Sequence, residues 1–395
     1  MEFELTDSQQ NVRQLVHWLA KERIRPLSLQ ADRDHTWPND FLLELKQMGV
    51  SQSASSADDG NTDRSGPKQT SRSAVIGAEE MAWGDASLIL TLPGPGLGGP
   101  PVRMTGTPEQ KERFFAPFAK QDEVHWGAYA LTEPAAGSDV AGIRTTAKKD
   151  GDAYVIDGTK CYITNGARAD WVVVFATVDP SKGRAGHRAF VVEKGTPGFS
   201  VGKIEEKMGL RASETAELVF ESCRVPVDNL LGGEALYEKS DGFKTAMKTF
   251  DNTRPLVAAM AVGIGRAAFE RARDFAKEAY VLSRPIARYA SIRAMLGRME
   301  RRLEAARLLT WKAATMADLG IPNTKEASMC KAFAAEVAQG VTIDAIEVMG
   351  AAGNHADAFV EKWFRDVKVY DIFEGTGQIQ RIVIAKRLFE TIRSF

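Results

Sequence analysis

One carboxylate near the C-terminus, Glu374, has a sequence setting that suits a general base. Residues 370–381 read YDIFEGTGQIQR, so two apolar residues precede Glu374 and two glycines follow it closely. Glycine permits tight backbone paths that other residues resist. A carboxylate on such a turn loses solvent when a ligand closes over it, which raises its pKa and makes it a stronger base. On this stretch alone, a surface glutamate between two helices is the simpler interpretation.

Two further stretches favour the catalytic interpretation. Residues 129–139 read YALTEPAAGSD, and residues 162–166 read YITNG. Together with the turn at Glu374 they resemble, in order and spacing, the acyl-CoA dehydrogenase family. These are flavoenzymes that place a double bond between the α and β carbons of acyl-CoA thioesters. The resemblance extends from about Thr107 to the C-terminus and is weaker over residues 49–101.

The resemblance implies FAD-dependent dehydrogenation of an acyl-CoA, as in fatty acid β-oxidation, with electrons passed to an electron-transfer flavoprotein. The reaction needs a base for the α-proton and donors for the thioester oxygen. It also needs a cofactor, because no amino-acid side chain accepts a hydride. Two alternatives stay open: an acyl-CoA oxidase of the same fold, and a subunit that mainly supports a non-identical catalytic partner.

The resemblance makes Glu374 the base. The family takes its base either from this turn or from the residue before an arginine in the first helix of the third domain. Here that residue is Thr253, before Arg254, and threonine cannot serve. The backbone N–H of Glu374 and a ribityl hydroxyl of the flavin would then form the oxyanion site. Arg254 either orients the catalytic region or is a structural, salt-bridged arginine.

The remaining site residues are also implied by the resemblance. Backbone groups of Leu131 and Thr132 would meet the pyrimidine edge of the flavin, Thr164 would approach N5, and Tyr162 would cover the ring, where many relatives carry Trp. The further cofactor contacts are Tyr129, Gly137 and Ser138, and, at the pyrophosphate and adenosine end, Glu347, Gly350, Thr376 and Gln378. The substrate contacts are Ser138, Phe250, Asp251, Arg254, Glu374 and Gly375. Many relatives carry Gln at the position of Glu347, and a carboxylate there would repel a pyrophosphate.

A departure from the family follows the long helix of the third domain. Relatives place an Arg, a Phe-Gly pair and a Gln there to hold the FAD diphosphate of a neighbouring subunit. The corresponding residues here are Ala279, Leu282-Ser283 and Ala290, although Arg284 and Arg288 lie nearby. Members of the family form dimers and tetramers, and some pair two different chains. We therefore expect an oligomer in which this subunit works beside a non-identical partner.

Composition excludes several classes of function. The chain has 395 residues and a net charge of −1, so it has no basic field for nucleic acid or an anionic membrane. No apolar run approaches the ~20 residues that span a bilayer, and the N-terminus lacks the plan of a signal peptide. The three widely spaced cysteines form no ligand pattern and indicate a cytoplasmic protein without a metal site.

Periodicity predicts an α+β protein of three units: an N-terminal helical domain (1–123), a small β-barrel or sandwich (124–236) and a C-terminal four-helix bundle (237–395), the bundle being implied by the resemblance. Capping boxes at Thr6 and Thr107 begin two of the helices. Residues 51–73 are polar and small, which predicts a long exposed loop. Asp157-Gly158 predicts the turn of a β-hairpin, residues 93–101 are either a linker or part of the acyl-tail region, and residues 243–280 predict one long helix.

Overall fold

The computed structural model describes residues 3–51, 70–239 and 249–392. Its order is helical, β and helical, as the sequence predicts. The N-terminal helices are α1 (Asp7–Leu19), which continues through a π-helical turn (Ala20–Ile24) into α2 (Arg25–Asp34), then α3 (Asn39–Gln47), α4 (Ser71–Thr91), α5 (Gly99–Thr105) and α6 (Pro108–Ala119). Both predicted capping boxes, at Thr6 and Thr107, are present.

The predicted loop over residues 51–73 is partly wrong. Residues 52–69 lie outside the described part of the chain, but Ser71 already begins α4. The Thr70 hydroxyl accepts a hydrogen bond from the Ser73 N–H, and the carboxylate of Asp318 accepts from the N–H groups of Ser71 and Arg72. These caps satisfy the first N–H groups of the helix, which composition alone does not reveal.

The residues at 93–101 are not a mere linker. They form a 3₁₀ turn (Gly96–Gly98) and the start of α5, and the N–H of Gly94 bonds to the carbonyl of His125 at 2.8 Å. A side chain at Gly98 would collide with the carbonyl of Ala128. This glycine-rich segment therefore packs directly on the first strand of the β domain.

The β domain is one seven-stranded sheet in the order β1-β4-β2-β3-β7-β6, with β5 paired to β4. Its strands are β1 (Gly127–Ala130), β2 (Thr146–Asp150), β3 (Ala153–Thr164), β4 (Trp171–Thr177), β5 (His187–Glu193), β6 (Phe199–Ile204) and β7 (Thr215–Pro226). β4 lies at its centre and is buried along its whole length.

The hairpin predicted at Asp157-Gly158 is wrong. Both residues lie inside β3, and the turn falls at Gly151 (φ 61°), where Asp150 pairs with Ala153. Gly158 instead lies beside a register shift between β3 and β7. A Cβ at this position would lie 2.5 Å from Oγ1 of Thr145. The glycine is therefore required by a close approach of two segments, which a short sequence motif cannot distinguish from a turn.

The long C-terminal helices pack on one another and two of them pack on α4, whereas the short helix that precedes them contacts the β domain through Tyr237. They are α7 (Glu234–Lys239), α8 (Thr249–Glu278), α9 (Ala290–Asp318), α10 (Thr324–Met349), α11 (Val360–Val367) and α12 (Gly377–Ile392), with a small hairpin of β8 (Tyr280–Val281) and β9 (Arg284–Pro285) between α8 and α9. The predicted helix over 243–280 is confirmed from 249 to 278, and residues 243–248 fall outside the described ranges. Small residues of α8 allow close approach, since a Cβ on Gly265 would lie 2.8 Å from Leu303. No helix among the described residues is both long and apolar enough to span a bilayer.

Candidate active site

Glu374 lies on a turn between a 3₁₀ segment (Lys368–Asp371) and α12. Its backbone is left-handed, with φ 56°, and Gly375 follows with φ 88°. The hydroxyl of Thr253, in the first turns of α8, donates a hydrogen bond of 3.1 Å to Oε2 of Glu374. A left-handed backbone at a residue other than glycine costs energy and persists where the surrounding structure enforces it. The turn therefore holds this carboxylate in one place.

Opposing effects set the proton affinity of Glu374. Burial raises its pKa above the ordinary value, while the hydrogen bond from Thr253 and the positive charges of Arg254 and Lys331 lower it. The net result is a raised pKa. A carboxylate whose pKa is raised by burial, with two cations that favour its ionised form, suits a general base.

Two side chains that the sequence did not suggest, Gln380 and Lys331, donate hydrogen bonds to the backbone of this turn. Nε2 of Gln380 donates to the carbonyls of Glu374 and Gly375, at 3.1 and 3.0 Å, and Nζ of Lys331 donates to the carbonyl of Gly375 at 2.7 Å. Lys331 is 1% exposed and belongs to α10. Its signal in the sequence is a lysine inside an apolar, alanine-rich helical stretch, which points to a buried partner.

The β domain reaches the same turn through Tyr129 of β1. Burial raises the pKa of the Tyr129 phenol well above its usual value, and the negative charge of Glu374 raises it further. The Tyr129 ring lies 5.0 Å from that of Phe175, centroid to centroid. The structure therefore brings two of the three sequence motifs together, although 245 residues separate Tyr129 from Glu374.

The loop after β1 is tied firmly to β3. The carbonyl of Leu131 accepts from Nζ of Lys160 at 3.0 Å, and that of Thr132 accepts from the N–H of Cys161 at 2.9 Å. The same lysine forms a buried ion pair with Glu133 at 2.7 Å. These bonds fix the backbone of the loop, and the N–H groups of Leu131 and Thr132 and the Thr132 hydroxyl are polar groups that a flavin could contact.

The third motif presents an aromatic ring to solvent. Tyr162 has φ 58° and is 65% exposed, and Thr164 of the same strand is partly buried. Asn165, also left-handed at φ 59°, donates through Nδ2 to the carbonyl of Leu90 at 2.8 Å. An enforced backbone that turns an aromatic ring outward offers a stacking surface to a flat ligand. This observation fits a flavin ring.

The other sequence-predicted residues lie at element ends. Glu347 and Gly350 are exposed at the end of α10, and Gln378 is exposed at the start of α12, while Gly137 and Ser138 are exposed beyond β1. Thr376 accepts a hydrogen bond from the Ile379 N–H at 3.3 Å and so caps α12. The side chains of Phe250 and Asp251 lie outside the described residues. The roles of these residues in binding stay predictions.

The hairpin that replaces the expected diphosphate clamp has an apolar tip. Leu282 and Ser283 are both left-handed, with φ 48° and 59°, and Leu282 is 90% exposed. Arg284 is exposed, and its guanidinium donates to the carbonyl of Arg288 at 3.1 Å and lies over the ring of Tyr289, 5.0 Å from its centroid. Arg284 is therefore folded onto its own hairpin.

Comparison with known proteins agrees with this geometry. The chain matches the N-terminal domain of acyl-CoA dehydrogenases over residues 6–122, the middle domain over 128–223 and the C-terminal domain over 240–389. It is 39% identical to a short-chain specific acyl-CoA dehydrogenase of Clostridium acetobutylicum over 98% of this chain and 100% of that protein.

Solved structures show the same likeness. The butyryl-CoA dehydrogenase of Megasphaera elsdenii superimposes with a TM-score of 0.88 at 37% identity, over 98% of this chain and 100% of that one. A chain in the structure of the electron transferring flavoprotein of Acidaminococcus fermentans gives 0.88 at 38% identity, over 98% and 99%. With three domain matches in order and these full-length relatives, the chain belongs to the acyl-CoA dehydrogenase family.

Proposed function

We propose that this chain catalyses the FAD-dependent α,β-dehydrogenation of an acyl-CoA thioester, with Glu374 as the base, and passes the electrons to an electron-transfer flavoprotein. The observation that carries the proposal is the Glu374 carboxylate, which lies on a left-handed turn, accepts a hydrogen bond from Thr253 and feels the positive charges of Arg254 and Lys331. Few structural roles require a carboxylate with a raised pKa at the meeting point of two domains.

The proton balance is simple. Glu374 takes a proton from the α carbon, the electron pair of that C–H bond enters the new double bond, and a hydride leaves the β carbon. When bound, FAD supplies the acceptor for that hydride. Glu374 then carries the proton until product leaves, after which it returns the proton to solvent. Its raised pKa makes it a stronger base toward a weakly acidic proton than an ordinary glutamate.

The described residues fit an FAD ring between the β domain and the C-terminal turn. Tyr162 offers a ring face, Thr164 lies two residues further along the strand, and the tied loop of Leu131 and Thr132 offers backbone N–H groups. Gly350 and Gln378, both exposed, would contact the pyrophosphate and adenosine end of a neighbouring subunit's cofactor, and the exposed Glu347 carboxylate would repel a pyrophosphate there. Three buried, unpaired cysteines support a cytoplasmic location.

A second candidate concerns assembly. Leu282 is apolar and exposed, and Arg284 bonds to the carbonyl of Arg288. These observations favour a subunit that lacks a full diphosphate clamp and works beside a non-identical partner. Electron transfer to a flavoprotein partner is supported by the likeness to the Acidaminococcus fermentans structure. Neither partner changes the proposed chemistry of Glu374.

The first experiment is the flavin-to-protein ratio of this chain expressed alone, with its mass in solution. One FAD per chain in a homotetramer would support a self-sufficient enzyme, and little FAD would support a missing partner. The second is oxidation of butyryl-CoA and longer or branched acyl-CoA thioesters, with an electron-transfer flavoprotein or oxygen as acceptor. Glu374→Gln should abolish turnover while flavin and thioester binding survive, and hydrogen peroxide production at full rate would favour the oxidase.

A further inference from the structure

Lys331 is a buried cation directly beneath the catalytic turn. It lies in α10, is 1% exposed, and its Nζ donates a hydrogen bond of 2.7 Å to the carbonyl of Gly375, the residue after Glu374. A fully buried lysine is rare because its ammonium group loses its hydration. The position of this one therefore needs an explanation.

Satisfying the carbonyl of Gly375 does not explain it. Nε2 of Gln380 already donates to that carbonyl at 3.0 Å, and to the carbonyl of Glu374 at 3.1 Å. The neutral amide of Gln380 therefore satisfies both carbonyls of the turn, and its burial costs far less free energy than burial of an ammonium group. What Lys331 adds to the turn is its charge.

Four charged groups act on one another around the turn. Burial lowers the pKa of the Lys331 ammonium to about 8, while the negative charges of Asp371 and Glu374 raise it and Arg254 lowers it. Two uncharged side chains also face Glu374: Tyr129 from β1 and Thr253 from α8. With both carboxylates ionised the two cations are balanced, whereas protonation of Glu374 would leave an excess positive charge in a poorly solvated place.

We propose that Lys331 is a positioning residue for the proposed reaction: its buried ammonium group holds the Gly375 carbonyl and keeps the Glu374 carboxylate ionised before substrate binds. The inference rests on the proposed function of Glu374. Lys331 is not itself the proposed base, because a protonated ammonium group has no lone pair with which to accept a proton. A thioester that binds over the turn removes solvent from Glu374 and so raises its pKa, and the positive charge of Lys331 opposes that rise.

The test is the pH profile of kcat/KM for the FAD-loaded enzyme with an acyl-CoA that the wild type oxidises. Lys331→Met should move the acid limb to higher pH by about one unit, since a neighbouring opposite charge shifts a carboxyl pKa by one unit or more. Lys331→Arg should keep the limb in place. Gln380→Leu, which removes a neutral donor from the same turn, should lower kcat without moving the limb.

An acid limb of Lys331→Met that coincides with that of the wild type would overturn the proposal, as would an equal shift in Gln380→Leu. If Lys331→Met does not fold, Lys331→Gln keeps an N–H donor without the charge and is measured instead. A wild type that oxidises no acyl-CoA would sink the proposed function rather than this inference.

A second measurement needs no turnover. An unfolded lysine titrates near pH 10.4, so a buried one with a pKa of about 8 binds fewer protons than the unfolded chain between these values. The stability of the wild type should therefore gain a component that rises with pH over this window, and Lys331→Met should lack that component. Identical pH dependences would show that burial does not depress the pKa of Lys331, and would overturn the premise that this ammonium group has lost its hydration beside the turn.

Discussion

The hydroxyl of Thr253 donates a hydrogen bond of 3.1 Å to the carboxylate of Glu374. The two residues come from helix α8 and from the turn before α12, and 121 positions separate them in the chain. Thr253, which occupies the alternative base position, thus forms a hydrogen bond with the proposed base. Because the side chains of residues 253 and 374 lie within hydrogen-bond distance of each other, a carboxylate at either position could reach the same bound substrate.

Thr253→Val should weaken catalysis by raising the pKa of Glu374, because the lost hydrogen bond favours the ionised carboxylate. A hydrogen bond to a charged group contributes about 1.5 kcal/mol or more, which corresponds to about one pH unit. The acid limb of kcat/KM should move upward by that amount. Thr253→Ser retains the hydroxyl and should behave like the wild type. A shift of equal size in the serine variant would assign the effect to packing.

Glu374→Gln should stabilise the protein at pH values above the folded-state pKa of Glu374. Burial raises the folded-state pKa of Glu374 above the unfolded value of about 4.3. The favourable contribution of the protonated form is therefore complete below the unfolded pKa and is lost as pH rises through the folded pKa. Glutamine never ionises, so its advantage in thermal midpoint should appear above the folded pKa and vanish near pH 4. Both proteins are compared at equal FAD occupancy, and a difference that is independent of pH would contradict this origin.

Ala279→Arg should raise the FAD content of the chain expressed alone, if the diphosphate clamp is missing. Arg284 is engaged by the Arg288 carbonyl and the Tyr289 ring, so it does not supply the charge in the described structure. Tyr280→Arg is the matched control, since it adds the same charge to an exposed neighbour on the same hairpin. Flavin absorbance per chain measures the outcome. An equal gain in both variants would indicate general electrostatic attraction, and no gain would mean that the clamp is not what limits binding.

Lys362→Met should destabilise the protein by about 3–5 kcal/mol. The Lys362 ammonium lies 2.8 Å from a carboxylate oxygen of Asp85 and 2.5 Å from one of Asp366, and all three side chains are buried. Its removal leaves two carboxylates close together without a counter-charge. Chemical denaturation of the FAD-loaded protein measures the loss. Lys325→Met, at a partly exposed lysine on α10, should change stability by about 0.5 kcal/mol or less.

Local chemistry along the chain determined the class of this protein. The carboxylate between two apolar residues and two glycines, the two upstream motifs and their order were enough to indicate the family and its reaction. Helix caps at Thr6 and Thr107 and the periodic apolar residues were also readable, because a cap and an amphipathic face depend on residues a few positions apart.

Tertiary structure decided which distant groups act on Glu374. Lys331, Gln380 and Thr253 reach the turn from three places in the chain, and their effects depend on burial and distance, which no local pattern encodes. Gly158 also shows what a local pattern does not encode. Its sequence suits a turn, but it lies within strand β3, where the close approach of Thr145 leaves no room for a side chain. Electrostatics and packing act between residues that are near in space, and only the fold determines which residues those are.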